Sequence, residues 1–146
     1  MSFLTYAKAA VTDLHAFKEV RVEVEDELKM GGNRLSERQR ELTDRRGTDI
    51  VPIIGGTIGG CAGVELVRRM GILAKYNRLF LLAPAVPAYI WPYQVLFYAR
   101  EAQYLVEMMR EEKTNKFARR LRKIFEASAS QGSTVLEDLA GDDIED

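Results

Sequence analysis

Glu65 is the residue of this chain best placed to do chemistry. It closes a run, residues 50–64, that holds no Asp, Glu, Lys or Arg, and Arg68 and Arg69 follow it. A carboxyl inside a bilayer marks a proton or ion path, because its charge is costly there; a quinone site would use one in the same way. At the end of a span the same group makes an interfacial ion pair instead. Glu and Arg at i, i+4 meet on one helix face, and arginine stems reach out to water. The cationic neighbours favour the interfacial pair of Glu65 with Arg68 and Arg69.

The glycine run GGTIGGCAG, residues 55–63, is the next feature. A phosphate cradle of the Walker type needs Gly-Lys-Ser/Thr at its end, and a dinucleotide fingerprint needs GxGxxG; the run has neither. Gly55, Gly59 and Gly63 are spaced by four, and Gly56 and Gly60 form a second four-spaced pair. On a helix these positions stack along one face and let a neighbouring helix come close, which drives association in lipid. In water each helical glycine costs about 1 kcal/mol relative to alanine, so a glycine-rich loop is the competing reading. The helical reading predicts packing within the chain, onto a second copy, or onto another subunit.

The remaining candidates carry little. His15 is the one histidine and Cys61 the one cysteine. That excludes an internal disulfide and falls short of a zinc site. Cys61 reads as a small apolar residue and His15 as a surface or interface residue. No triad or paired-carboxylate grouping stands out, so no catalytic, cofactor-binding or metal-ligating residue is expected. With 21 Lys plus Arg, 22 Asp plus Glu and a net charge of −1, the chain lacks the basic excess that phosphate contacts require, so no nucleic-acid partner is expected.

The elements that must position these residues are all helical. Residues 1–30 read as an amphipathic helix with Phe3, Ala7, Ala10, Leu14, Phe17, Val24 and Leu28 on one face and Arg21 interrupting it. The N-terminus lacks the basic region and unbroken apolar core of a secretory signal. Residues 31–49 form a charged linker or short helix. The first apolar span makes about 22 Å of helix over residues 50–64, short of the ~30 Å hydrocarbon core, and so extends to residue 73. A loop at residues 74–78 leads to the second span, residues 79–99, about 31 Å long as a helix. Tyr89, Trp91, Tyr93 and Tyr98 gather in its second half as interfacial aromatics do, and Pro84, Pro87 and Pro92 predict kinks. Residues 100–127 read as an amphipathic helix with Ala102, Leu105, Met109, Phe117, Leu121 and Ile124 as its stripe. Arg119, Arg120, Arg122 and Lys123 form a basic cluster that suits either anionic headgroups or a solvated face. Residues 128–146 read as a mobile acidic tail.

The expected fold is therefore all-α: a two-span transmembrane helical hairpin with an amphipathic N-terminal helix and a long amphipathic C-terminal helix. This layout resembles small accessory subunits of mitochondrial energy-converting complexes. The run from Gly55 to Gly63 is similar to the glycine-zipper span of subunits e and g of mitochondrial ATP synthase. The second span, rich in proline, departs from that pattern. The resemblance implies a non-catalytic subunit of an ATP synthase or respiratory-chain complex in the mitochondrial inner membrane. Its partners would be other membrane subunits and the bilayer, with Trp91 and the basic cluster as lipid contacts to anionic phospholipid. Two alternatives stand beside it: a self-associating membrane-shaping or lipid-binding protein, and a soluble helical interaction domain whose core is the apolar spans.

Overall fold

The computed structural model describes residues 2–70, 82–110 and 115–141. Every regular element among them is a helix: α1 (Phe3–Thr12), α2 (Leu14–Lys29), α3 (Glu37–Gly47), α4 (Val51–Arg69), α5 (Leu82–Met109), α6 (Lys116–Ser128) and α7 (Thr134–Gly141). The end of the first expected span (71–73), the loop (74–78), the first residues of the second span (79–81) and the last of the tail (142–146) lie outside the described residues.

One helical stretch among the described residues, Glu37–Arg69, is long and apolar enough to cross a membrane. Its most apolar window has a mean hydropathy of 1.7, and only 17 % of that window is buried, unlike the core helix of a globular domain. The described part of the expected second span, which begins at residue 82 on α5, does not reach that standard by itself, because its three prolines, the tyrosines and Gln94 dilute the apolar side chains.

The chain divides into two compact units: Met1–Thr48 with Ala99–Asp146, and Asp49–Tyr98. In the first, α2 packs on α6, with the Phe17 and Phe125 rings edge to face at 5.0 Å. Tyr6, Ala10, Asp13, Phe17, Val20, Val24 and Glu27 are all buried, and their spacing alternates between four and three. This corrects the face read from sequence, since Phe3, Leu14 and Leu28 are exposed. The true stripe is disguised because two of its members are carboxylates. Asp13 accepts from Ser130 N (3.0 Å), Ser130 Oγ (2.5 Å) and Ser133 Oγ (2.7 Å). Glu27 accepts from Arg34 N at 3.1 Å. Asp13 also parts α1 from α2, so residues 1–30 form two helices rather than one. Gly31 and Gly32, both at positive φ, end the second.

Gln39 joins three segments of this unit. It completes a capping box with Ser36 at the start of α3, each side chain 3.1 Å from the other's backbone nitrogen. Fully buried, it donates from Nε2 to Met108 O at 3.2 Å and accepts from Asn115 Nδ2 at 3.3 Å. Arg122 Nε donates to Met109 O at 2.5 Å. Both carbonyls belong to the last turn of α5, where no intrahelical donor remains. Asn115 in turn caps α6.

The C-terminal region also departs from expectation. The single helix over 100–127 is instead the end of α5 followed by α6. Within the expected mobile tail, Thr134–Gly141 is helical and buries Val135 and Leu139. The Arg110–Asp138 ion pair ties it down further.

A ring of four charges completes the unit. Arg46 reaches Glu101 at 2.7 Å and Glu25 at 3.4 Å, and Arg21 reaches Glu25 at 2.7 Å and Glu101 at 3.3 Å. The ring links α2, α3 and α5 through side chains far apart in sequence.

Candidate functional site

The Asp49–Tyr98 unit holds the glycine run. Pro52 lies in the first turn of α4, where a missing N–H costs nothing, and Val51 N donates to Asp49 Oδ1 at 3.0 Å. The helix then continues through all five glycines to Arg69. Its 19 residues make about 28 Å, close to the thickness of a hydrocarbon core.

The glycines face α5. A Cβ on Gly55 would run into the Leu96 side chain. On Gly56 it would stand 3.0 Å from the Tyr89 ring and 3.1 Å from Tyr89 O. On Gly59 it would collide with Ala88 O and lie 2.7 Å from Pro92 Cγ. On Gly63 it would be 2.5 Å from Ala88 Cβ and 3.4 Å from Pro84 O. Gly60 is the roomier member, its nearest neighbour being Tyr89 Cβ at 3.4 Å. As α4 advances, its partners on α5 retreat from Leu96 to Pro84, so the two helices run antiparallel.

The close approach explains how α5 carries proline in its interior. Pro92 has no N–H, so the carbonyl of Ala88, four residues earlier, loses its helical donor. That is the oxygen toward which Gly59 points a Cα hydrogen, in the place a Cβ would take. A Cα–H···O contact of this kind is a weak bond that recurs at helix–helix interfaces. The glycine thus gives the freed carbonyl a close neighbour. Sequence reasoning took the prolines only as kinks. Pro84, Ala88 and Pro92, spaced by four, are the complementary small face, and that spacing was the available signal.

The outside of the pair is apolar. Ile53, Ile54, Ile58 and Leu66 on α4, and Val86, Ile90 and Val95 on α5, are exposed. Trp91 is 74 % exposed. Along α5, Tyr89, Tyr93 and Phe97 stack in sequence at 5.9 and 6.0 Å. At the far end of α4, Glu65 takes both arginines: Arg68 Nε and Arg69 Nε each lie 2.9 Å from one of its oxygens. Cys61 is exposed.

The basic cluster belongs to the other unit. The apolar side of α6, with Phe117, Leu121 and Phe125, is buried in that unit's core and presents nothing to lipid. Arg120 pairs with Glu23 at 2.9 Å and Arg122 holds Met109 O. Arg119 and Lys123 are exposed. His15 lies on the surface, 3.7 Å from Glu19. Among the described residues no group of three His, Cys, Asp or Glu side chains could hold a metal ion.

No family model, curated protein or solved structure matches the chain.

Proposed function

We propose that the chain is a non-catalytic structural subunit of a larger membrane complex, with residues 50–73 and 79–99 crossing the bilayer as a hairpin. The observation that carries this reading is the reversed layering of Asp49–Tyr98: five glycines and Ala88 lie between the helices, with Leu96 and Tyr89 the larger side chains there, while isoleucine, valine, tryptophan and Leu66 face outward. Water penalises that arrangement on both counts, by exposing apolar area and by placing glycine in a helix. Lipid penalises neither, and it rewards close helix packing. The α4 glycines are used against α5, so contacts with other subunits fall to the outward side chains and to the charged unit, whose own core keeps it in the aqueous phase.

The glycine-zipper resemblance extends the proposal to an ATP synthase or respiratory-chain complex of the mitochondrial inner membrane. Alkaline carbonate extraction tests the membrane part: the chain stays in the pellet, and release into the supernatant would overturn it. Native purification in mild detergent tests the assembly part. A large heteromeric particle supports it; a particle containing this chain alone counts against it. Subcellular fractionation decides the organelle.

A further inference from the structure

An apolar groove of about 700 Å³ runs along one side of the α4–α5 pair. Gly60, Cys61, Ala85, Val86, Tyr89 and Ile90 line it, with Thr57 at one end and Glu65 at the other. Thr57 turns its hydroxyl back into its own helix, donating to Ile53 O at 2.8 Å. The lining is therefore suited to hydrocarbon. From Thr57 to Glu65 the groove extends about 12 Å along the helix, much less than the ~30 Å of a bilayer core. A packed transmembrane helix would follow the whole length of α4; this groove accommodates part of a flexible chain.

The Glu65 end supplies the second half of the argument. Arg68 and Arg69 share the single carboxylate of Glu65, and both guanidinium groups remain largely exposed, at 71 % and 77 %. Two cations on one anion leave a net positive charge at the mouth of the groove. In the hairpin proposed above, Glu65, Arg68 and Arg69 form the interfacial ion pair, so that mouth lies near the headgroups, where anionic lipid and arginine attract each other.

We propose that this groove is a phospholipid site, holding an acyl chain against Gly60 and Ala85 with an anionic headgroup phosphate on Arg68 and Arg69. The inference rests on the membrane reading and goes beyond it by assigning the ligand and its contacts.

The test uses the full chain reconstituted into bilayers of equal phosphatidylglycerol and phosphatidylcholine, then released into detergent for native mass spectrometry. Wild type should retain phosphatidylglycerol over phosphatidylcholine by about five-fold, the scale of one added basic contact at a membrane surface. Arg68→Gln with Arg69→Gln, both on the surface, should bring that ratio close to one. Cys61→Trp should fill the groove and lower retention of both lipids, and Val86→Trp on the opposite wall repeats the test should the first variant not fold. Equal retention of the two lipids by wild type would overturn the proposal, as would a lipid-free dimer. Release of wild type by carbonate overturns the membrane reading itself. A chain that resists carbonate yet shows no lipid preference overturns only the groove.

Discussion

The two units of this chain solve packing in opposite ways. In Met1–Thr48 with Ala99–Asp146, phenylalanine, leucine, methionine and valine point inward and most charges face out. Stability there comes from apolar area removed from water and from a few buried polar groups with matched partners. In Asp49–Tyr98 most of the large aliphatic residues face out, and the contact surface is glycine, alanine and proline with Leu96 and Tyr89. Stability there comes from close backbone approach and from the neighbour given to a carbonyl that proline has stripped of its donor. The difference teaches that hydrophobicity alone does not locate a core. What matters is which solvent the outward face must meet.

Truncation of a large side chain should separate the units most sharply. Phe125→Ala removes a fully buried ring from the charged unit and should cost about 4 kcal/mol in denaturant unfolding. Ile58→Ala in α4 removes an outward side chain, 65 % exposed, and should cost under ~1 kcal/mol by the same measurement in detergent. Equal costs would end the comparison.

Enlargement should act in reverse. Gly59→Leu forces a side chain against Ala88 O and Pro92 and should destabilise the helix pair by about 3 kcal/mol, read as thermal unfolding in detergent. Gly60→Ala, with 3.4 Å of room, should change it by less than ~1 kcal/mol.

The charge ring is the next lever. Glu101→Gln leaves Arg46, a mostly buried guanidinium, without its nearest carboxylate and should cost about 2 kcal/mol in the charged unit.

Asp13 predicts an acid-sensitive unit. Burial pushes its carboxyl up, but the hydrogen bonds from Ser130 and Ser133 outweigh that and hold it below the ordinary aspartate range. Glu25 is also lowered, chiefly by the hydrogen bond from Arg21, with burial opposing. A depressed folded-state pKa gives stability that is present above the unfolded value and lost as pH falls through the folded one. Urea midpoints should therefore drop as pH falls below about 4, and Asp13→Asn should flatten that dependence. An unchanged acid profile in Asp13→Asn would remove Asp13 as its source.

The smallest effect has the opposite sign. Gly47 ends α3 with nothing within 4 Å of a would-be Cβ, so Gly47→Ala should stabilise by about 0.5 kcal/mol.

Much of the helical architecture could be read from the chain. The capped starts, the positive-φ glycines after α2, and the stripe through Ala102, Leu105, Met109, Phe117 and Leu121 follow local rules, since i, i+3 and i, i+4 neighbours share a face wherever the helix lies. The glycine spacing likewise depends only on helical geometry. The misreadings share one cause. Asp13 and Glu27 look like solvent residues until Ser130, Ser133 and the backbone of Arg34 reach them. The C-terminal segment looks mobile until Asp13 and Arg110 hold it.

What the sequence by itself determined is that, on a helix, Gly55, Gly59 and Gly63 stack along one face and Glu65 can meet Arg69 one turn on, because both are consequences of 3.6 residues per turn. Only the tertiary structure decided what that face meets. The partner is the Pro84–Ala88–Pro92 edge of α5, chosen because a glycine Cα fits against a carbonyl that proline leaves without a donor. Such complementarity belongs to two segments at once, and neither segment shows it alone.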